Sequence, residues 1–142
     1  MVTQSLVKQW MTESVLTVEP NTTVVAAQLL MKERKIRRLP VVKNGKLVGI
    51  ISLGDLREAG PSLATSLSIW ELNYLWAQLT VDRVMTHHVF TVSPEATVSD
   101  AARMMLEHKI SGLPVVDGLH LVGVLTESDI FRVLMATQTE PV

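Results

Sequence analysis

Shifted by 74 residues, the sequence matches itself without a gap, and that repeat constrains the fold more than any other feature. Met11-Thr12 falls on Met85-Thr86, Thr17-Val18 on Thr91-Val92, and Pro20 on Pro94. Thr23-Val24 falls on Thr97-Val98, and Lys35-Ile36 on Lys109-Ile110. Leu39-Pro40-Val41-Val42 falls on Leu113-Pro114-Val115-Val116, Leu47-Val48-Gly49 on Leu121-Val122-Gly123, and Asp55 on Asp129. Between residues 11 and 55, 21 of 45 positions equal their partners, far above chance. A chain of 142 residues built this way is two small copies of one unit.

Each copy reads as β-α-β-β-α. Val15 to Val18 is a short β-branched run closed by Pro20. Thr22 or Thr23 can cap a helix, and Val24, Ala27, Leu30 and Met31 follow on one face to about Arg34. Leu39 to Val42 reads as a buried strand, Asn44-Gly45 as a hairpin turn, and Leu47 to Ser52 as the returning strand before a helix from Leu53. The second copy predicts strand 89–92, helix 97–107, strand 113–116, a turn at Asp117-Gly118, strand 121–126 and helix 127–136. One copy alone could hardly close a core. The expected class is α/β (α+β), with two pseudo-twofold-related βαββα units packed through their sheets. The expected division is 1–59, a linker helix over 60–80, and 81–142.

The linker opens with Gly60-Pro61-Ser62 and then runs through Leu67, Ile69, Trp70, Leu72, Tyr74, Leu75, Trp76 and Leu79. That is too apolar for a flexible tether. It predicts either a helix packed on its own module or a dimer contact.

Composition closes several classes. Apolar residues are 47% and charged residues 19%, enough for a core, while no apolar run approaches the roughly 20 residues that span a bilayer. The first eight residues carry no basic segment followed by an apolar one, so no secretory signal is expected. Cysteine is absent, which fits a cytoplasmic setting and removes disulfides and thiolate metal sites. The net charge of −1 argues against nucleic acid.

The chemistry points to one motif occurring twice: Gly49-Ile50-Ile51-Ser52-Leu53-Gly54-Asp55 and Gly123-Val124-Leu125-Thr126-Glu127-Ser128-Asp129. Each places Gly, a hydroxyl and Asp at a strand-to-helix junction. A glycine admits close approach, a carboxylate accepts hydrogen bonds from two ribose hydroxyls, and a helix start with a hydroxyl receives phosphate. The same pattern also makes a plain helix cap, with Ser52 or Thr126 as cap and Asp55 or Asp129 at N3. His87, His88, His108 and His120 read as exposed, without metal-ligand spacing. No nucleophile elbow or Walker loop is present, so an enzyme is not expected.

The paired units resemble cystathionine-β-synthase (CBS) domains forming a Bateman module. The resemblance rests on Met11-Thr12 and Met85-Thr86, on Ile36-Arg37-Arg38-Leu39-Pro40 and Ile110-Ser111-Gly112-Leu113-Pro114, and on both Gly-x-x-Ser/Thr-x-x-Asp motifs. The linker 64–75 is similar to that of stand-alone bacterial pairs of the acetoin-utilisation B type. The resemblance implies a cleft between the units with up to two sites for AMP, ADP, ATP or S-adenosylmethionine. Carried over by position, one site pairs Thr126, Ser128 and Asp129 with Thr12, Leu16, Ile36, Arg37 and Pro40. The other pairs Ser52 and Asp55 with Thr86, Phe90, Ile110, Ser111 and Pro114. The Asp residues would hold ribose, the apolar ones adenine, and Arg38 phosphate. The implied function is a regulatory adenine-nucleotide sensor, with or without Mg2+ on the nucleotide, acting as a homodimer on a regulated enzyme or transporter. The alternatives are a protein-interaction scaffold with degenerate pockets and an S-adenosylmethionine sensor. No obligatory cofactor, metal or membrane is expected.

Overall fold

The computed structural model describes residues 5–60 and 67–138. The opening break at Pro61-Ser62 and linker residues 63–66 lie outside the described residues. The chain is a mixed helix and strand protein. Its elements run α1 (Val7–Trp10), α2 (Val24–Arg34), β1 (Arg38–Lys43), β2 (Lys46–Ser52), α3 (Leu53–Ala59), α4 (Ile69–Gln78), α5 (Val98–His108), β3 (Gly112–Asp117), β4 (His120–Thr126) and α6 (Glu127–Gln138).

The packing forms two compact groups. One holds residues 16–89, the other residues 1–15 with 90–142. The repeat marks copied sequence, whereas the compact groups mark what packs together.

In the group of residues 16–89, Thr23 caps α2 by accepting the Ala26 N–H at 3.1 Å. The helix buries Val24, Ala27 and Met31 and ends at Lys35 in the left-handed region. β1 and β2 pair antiparallel, Leu39 opposite Ile51 and Pro40 opposite Ile50. Alternation along β1 sends Leu39 and Val41 inward, where they are fully buried with Val24, Ala27, Ile51, Leu56 and Val81. The expected first strand is reduced. Only Val18 makes a bridge, parallel to Val41. Its N–H donates to Pro40 O at 3.1 Å, and its carbonyl accepts the Val42 N–H at 2.9 Å. Pro20 follows too closely for a longer ladder.

The group of residues 1–15 and 90–142 repeats these details. Thr97 caps α5 through the Asp100 N–H at 3.1 Å, and Lys109 ends it in the same left-handed conformation. β3 pairs β4 antiparallel with Leu113 opposite Leu125, and Val92 bridges Val115. Leu113, Val115 and Leu125 are fully buried among Val7, Ala101 and Met105.

The two hairpin turns differ. Asn44 and Gly45 both have positive φ, 55° and 79°, the pattern of a type I′ turn. In the second hairpin the loop is Gly118-Leu119, one residue beyond the expected Asp117-Gly118. Of the two loop residues only Gly118 has positive φ, at 64°. Glycine at the first central position suits a type II′ turn, and this fixes the loop one residue later.

Each compact group also receives a segment from the other copy of the repeat. Val81 N–H donates to Thr22 O at 2.8 Å, and Val24 N–H to Leu79 O at 2.9 Å. The matching Val7 N–H donates to Ala96 O at 2.8 Å, and Val98 N–H to Ser5 O at 2.8 Å. Beyond these anchors, Thr86 forms a two-bond bridge with Ile50, at 3.0 and 2.8 Å, and Thr12 a two-bond bridge with Val124, at 2.9 and 3.0 Å.

That crossing segment explains the duplicated glycines. A Cβ on Gly49 would lie 2.5 Å from Met85 Sδ and 3.0 Å from Thr86 O. A Cβ on Gly123 would lie 2.8 Å from Met11 Sδ and 2.9 Å from Thr12 O. The space left by each missing side chain is filled by the protein's own Met-Thr segment.

The linker forms α4, capped by Ser68, which accepts the Glu71 N–H at 3.2 Å. Trp76 and Leu79 pack on the core of the 16–89 group. Ile69, Trp70, Tyr74 and Leu75 stay exposed, Trp70 at 81%. No helix among the described residues is long and apolar enough to cross a membrane.

Candidate functional site

The two strand-to-helix corners are built alike and used differently. At the first, Ser52 and Asp55 make a reciprocal capping box at the start of α3. Ser52 N–H donates to Asp55 Oδ2 at 2.9 Å, and Asp55 N–H donates to Ser52 Oγ at 3.1 Å. The second carboxylate oxygen of Asp55 is approached by Thr86 Oγ1 at 3.4 Å, a long contact. Thr86 therefore stands beside Asp55, its position fixed by the bridge to Ile50.

At the second corner Thr126 N–H donates to Asp129 Oδ2 at 2.9 Å. The Thr126 hydroxyl donates to the same oxygen at 3.1 Å. Arg132, one helical turn on, donates from Nη1 to Asp129 Oδ1 at 2.7 Å. Asp129 is 2% exposed, the one buried charged residue among the described residues. A carboxylate offers about four lone-pair positions. Three donors occupy Asp129, while Asp55 has one firm donor and one distant one.

The remaining sequence candidates fall as follows. In the 16–89 group, Arg38 stands opposite Ser52 in the β1–β2 register, and Arg37 O accepts the Leu53 N–H at 2.9 Å. Pro40 is buried in β1, while Leu16 and Ile36 are half-buried against the core. In the other group, Ser111 O accepts the Glu127 N–H at 3.1 Å, Pro114 is buried, and Ile110 packs on the core. Ser128 is exposed on the first turn of α6, and Thr12 is exposed at its bridge to Val124. The Phe90 ring stacks on His108 with centroids 3.7 Å apart and planes 15° from parallel. All four histidines are exposed, and no cluster of three or more potential metal ligands occurs among the described residues.

Sequence reasoning missed Arg132. Its spacing of three from Asp129 on a helix was the available signal. So was the mismatch at its partner position in the repeat, where Glu58 stands.

Two copies of one α+β unit, each with a carboxylate held at a strand-to-helix corner, make this a tandem-repeat α+β protein. The chain belongs to the CBS-domain family: the family model for the CBS domain matches twice, at residues 7–62 and 81–136. Among curated relatives, the CBS domain-containing protein YhcV of Bacillus subtilis is 33% identical over 89% of this chain and 83% of its own length. Other relatives are longer. The chain spans 46% of MJ1225 of Methanocaldococcus jannaschii and 25% of the homoserine O-acetyltransferase of Methanococcoides burtonii, each 34% identical over the matched part.

Three solved structures are similar along nearly all of this chain. A putative acetoin utilization protein, AcuB, from Vibrio cholerae is 32% identical with a TM-score of 0.78, covering 96% of this chain and 98% of that one. CBSX2, from Arabidopsis thaliana, solved in complex with AMP, is 32% identical with a TM-score of 0.78, covering 94% and 98%. The CBS domain pair of MJ0100, solved with 5′-methylthioadenosine and S-adenosyl-L-methionine, is 30% identical with a TM-score of 0.73, covering 94% and 98%.

Proposed function

We propose that the chain is a regulatory sensor of adenine nucleotides, with Asp55 and Asp129 as its ribose acceptors and no catalytic step of its own. The observation that carries this reading is the duplicated corner. Two carboxylates stand at matching positions, each bonded to the hydroxyl residue that ends its strand, and the glycine of that strand packs against a Met-Thr segment ending in an exposed threonine. The likeness to a structure holding AMP supports it. The likeness to one holding 5′-methylthioadenosine and S-adenosylmethionine makes the sulfonium nucleoside the competing ligand. Arg38, beside Ser52 in the ladder, supplies a cation for phosphate on the first corner. Ser128 supplies a hydroxyl on the second.

The test is isothermal titration of stripped protein with AMP, ADP, ATP and S-adenosylmethionine, with and without Mg2+. Micromolar binding by an adenine nucleotide, lost in Asp129→Ala or Asp55→Ala, is the expected result. Absence of heat and of thermal shift with all four ligands would favour the scaffold reading, in which the module acts only through protein contact.

The exposed face of α4 favours one such contact. Trp70, Glu71, Tyr74 and Leu75 line an open depression of about 340 Å³, and none of the residues of this helix is buried. A second copy of the same helix is its proposed occupant, giving a homodimer. Light scattering should report a dimer that Trp70→Ser with Tyr74→Ser converts to monomer. A monomeric native chain would sink this assignment.

A further inference from the structure

We propose that Arg132 makes the Asp129 corner selective for adenosine ligands with a negatively charged 5′ group over neutral or cationic ones. This rests on the ribose-acceptor reading above and names the ligand class for one of its two corners. Asp129 holds three donors, so the carboxylate has room for one more. A ribose diol brings two hydroxyls. Both can be accepted only if one present donor leaves.

Thr126 N–H is fixed by the backbone, and its hydroxyl shares Oδ2 with it. Arg132 is the donor on Oδ1, so a diol that spans both carboxylate oxygens meets it there. Its side chain is 63% exposed, and it reaches Asp129 Oδ1 from one turn along α6. A diol that takes Oδ1 therefore displaces the guanidinium from a carboxylate that is otherwise buried.

The displaced cation decides the ligand. Guanidinium binds phosphate with the same planar, charge-assisted geometry it uses for carboxylate. A nucleoside 5′-phosphate restores the lost pair. A neutral thioether leaves the guanidinium without an anion, and a sulfonium adds a like charge beside it. The first copy has no such device. Glu58 stands at the position matching Arg132, and among the described residues Asp55 has no cation on its carboxylate.

The experiment compares AMP, 5′-methylthioadenosine and S-adenosylmethionine by titration calorimetry on the full chain, wild type against Arg132→Gln and Arg132→Glu. Wild-type protein should bind AMP more tightly than the thioether. Arg132→Gln removes both the latch on Asp129 and the phosphate partner, so the AMP-to-thioether affinity ratio should fall by about tenfold or more. Arg132→Glu, which copies Glu58 of the first repeat, should move the preference towards the sulfonium. A merely structural Arg132 would weaken all three ligands alike and leave the ratio within about twofold, which would overturn the proposal. Binding confined to the Asp55 corner would give the same flat ratio and overturn it equally. A wild-type chain that binds none of the three would instead defeat the nucleotide reading itself, and it shows before any variant is made.

Discussion

The Asp55 and Asp129 corners share a motif and a hydrogen-bonding register, yet one carboxylate is partly open and the other is enclosed by its own neighbours. At Asp55 the serine and the aspartate cap each other, which accounts for both side chains as local structure. At Asp129 the threonine hydroxyl turns into the carboxylate and an arginine closes the remaining oxygen. The difference follows from two substitutions within one duplicated segment, Ser52 to Thr126 and Glu58 to Arg132. A repeat therefore preserves the frame of a corner while a single helical turn changes the donors around its carboxylate.

The largest effects should show how alike the two frames are. Leu39 and Leu113 occupy matching positions, both fully buried. Leu39→Ala and Leu113→Ala should each cost about 2–5 kcal/mol by urea denaturation, and by similar amounts. A cost confined to one of them would break the equivalence of the two cores.

The carboxylates should separate the corners. Asp129→Ala removes the acceptor of three donors, one of them charged, and should cost about 2–3 kcal/mol without ligand. Asp55→Ala removes a capping contact and should cost about 1 kcal/mol. Equal losses in thermal melts would mean that the enclosure of Asp129 contributes nothing to stability.

The glycines test the crossing segments. Gly49→Ala and Gly123→Ala each force a methyl against a Met-Thr segment and should cost about 1–3 kcal/mol. The two costs should be similar, since each methyl would meet a methionine sulfur and a backbone oxygen of the crossing segment at closely matching distances. A neutral Gly123→Ala in denaturant titration would show that the segment shifts freely.

Much of the fold was legible because its signals are local. Thr23 and Thr97 cap the helices expected after them, and the apolar spacing of Val24, Ala27 and Met31 marks the buried face. Asn44-Gly45 forms its hairpin turn as its residue types demand. Three features read less well. Val15 to Val18 has strand composition, yet a single bridge at Val18 is all the ladder accepts. The second turn slid to Gly118-Leu119, since turn type depends on which residue takes positive φ. The glycines of the motif read as room for a ligand, and the room is occupied by Met85-Thr86 and Met11-Thr12.

The sequence by itself determined the repeat, the α+β unit and the two corners. Those properties depend on spacing along the chain, which duplication copies intact. Only the tertiary structure decided which segment packs on which copy, because the anchors of Val7 and Val81 are backbone hydrogen bonds that carry no side-chain signature. It likewise decided that Asp129 meets Arg132 while Asp55 meets Thr86. A carboxylate takes whichever donors the fold brings within reach, and residue identity alone does not say which those are.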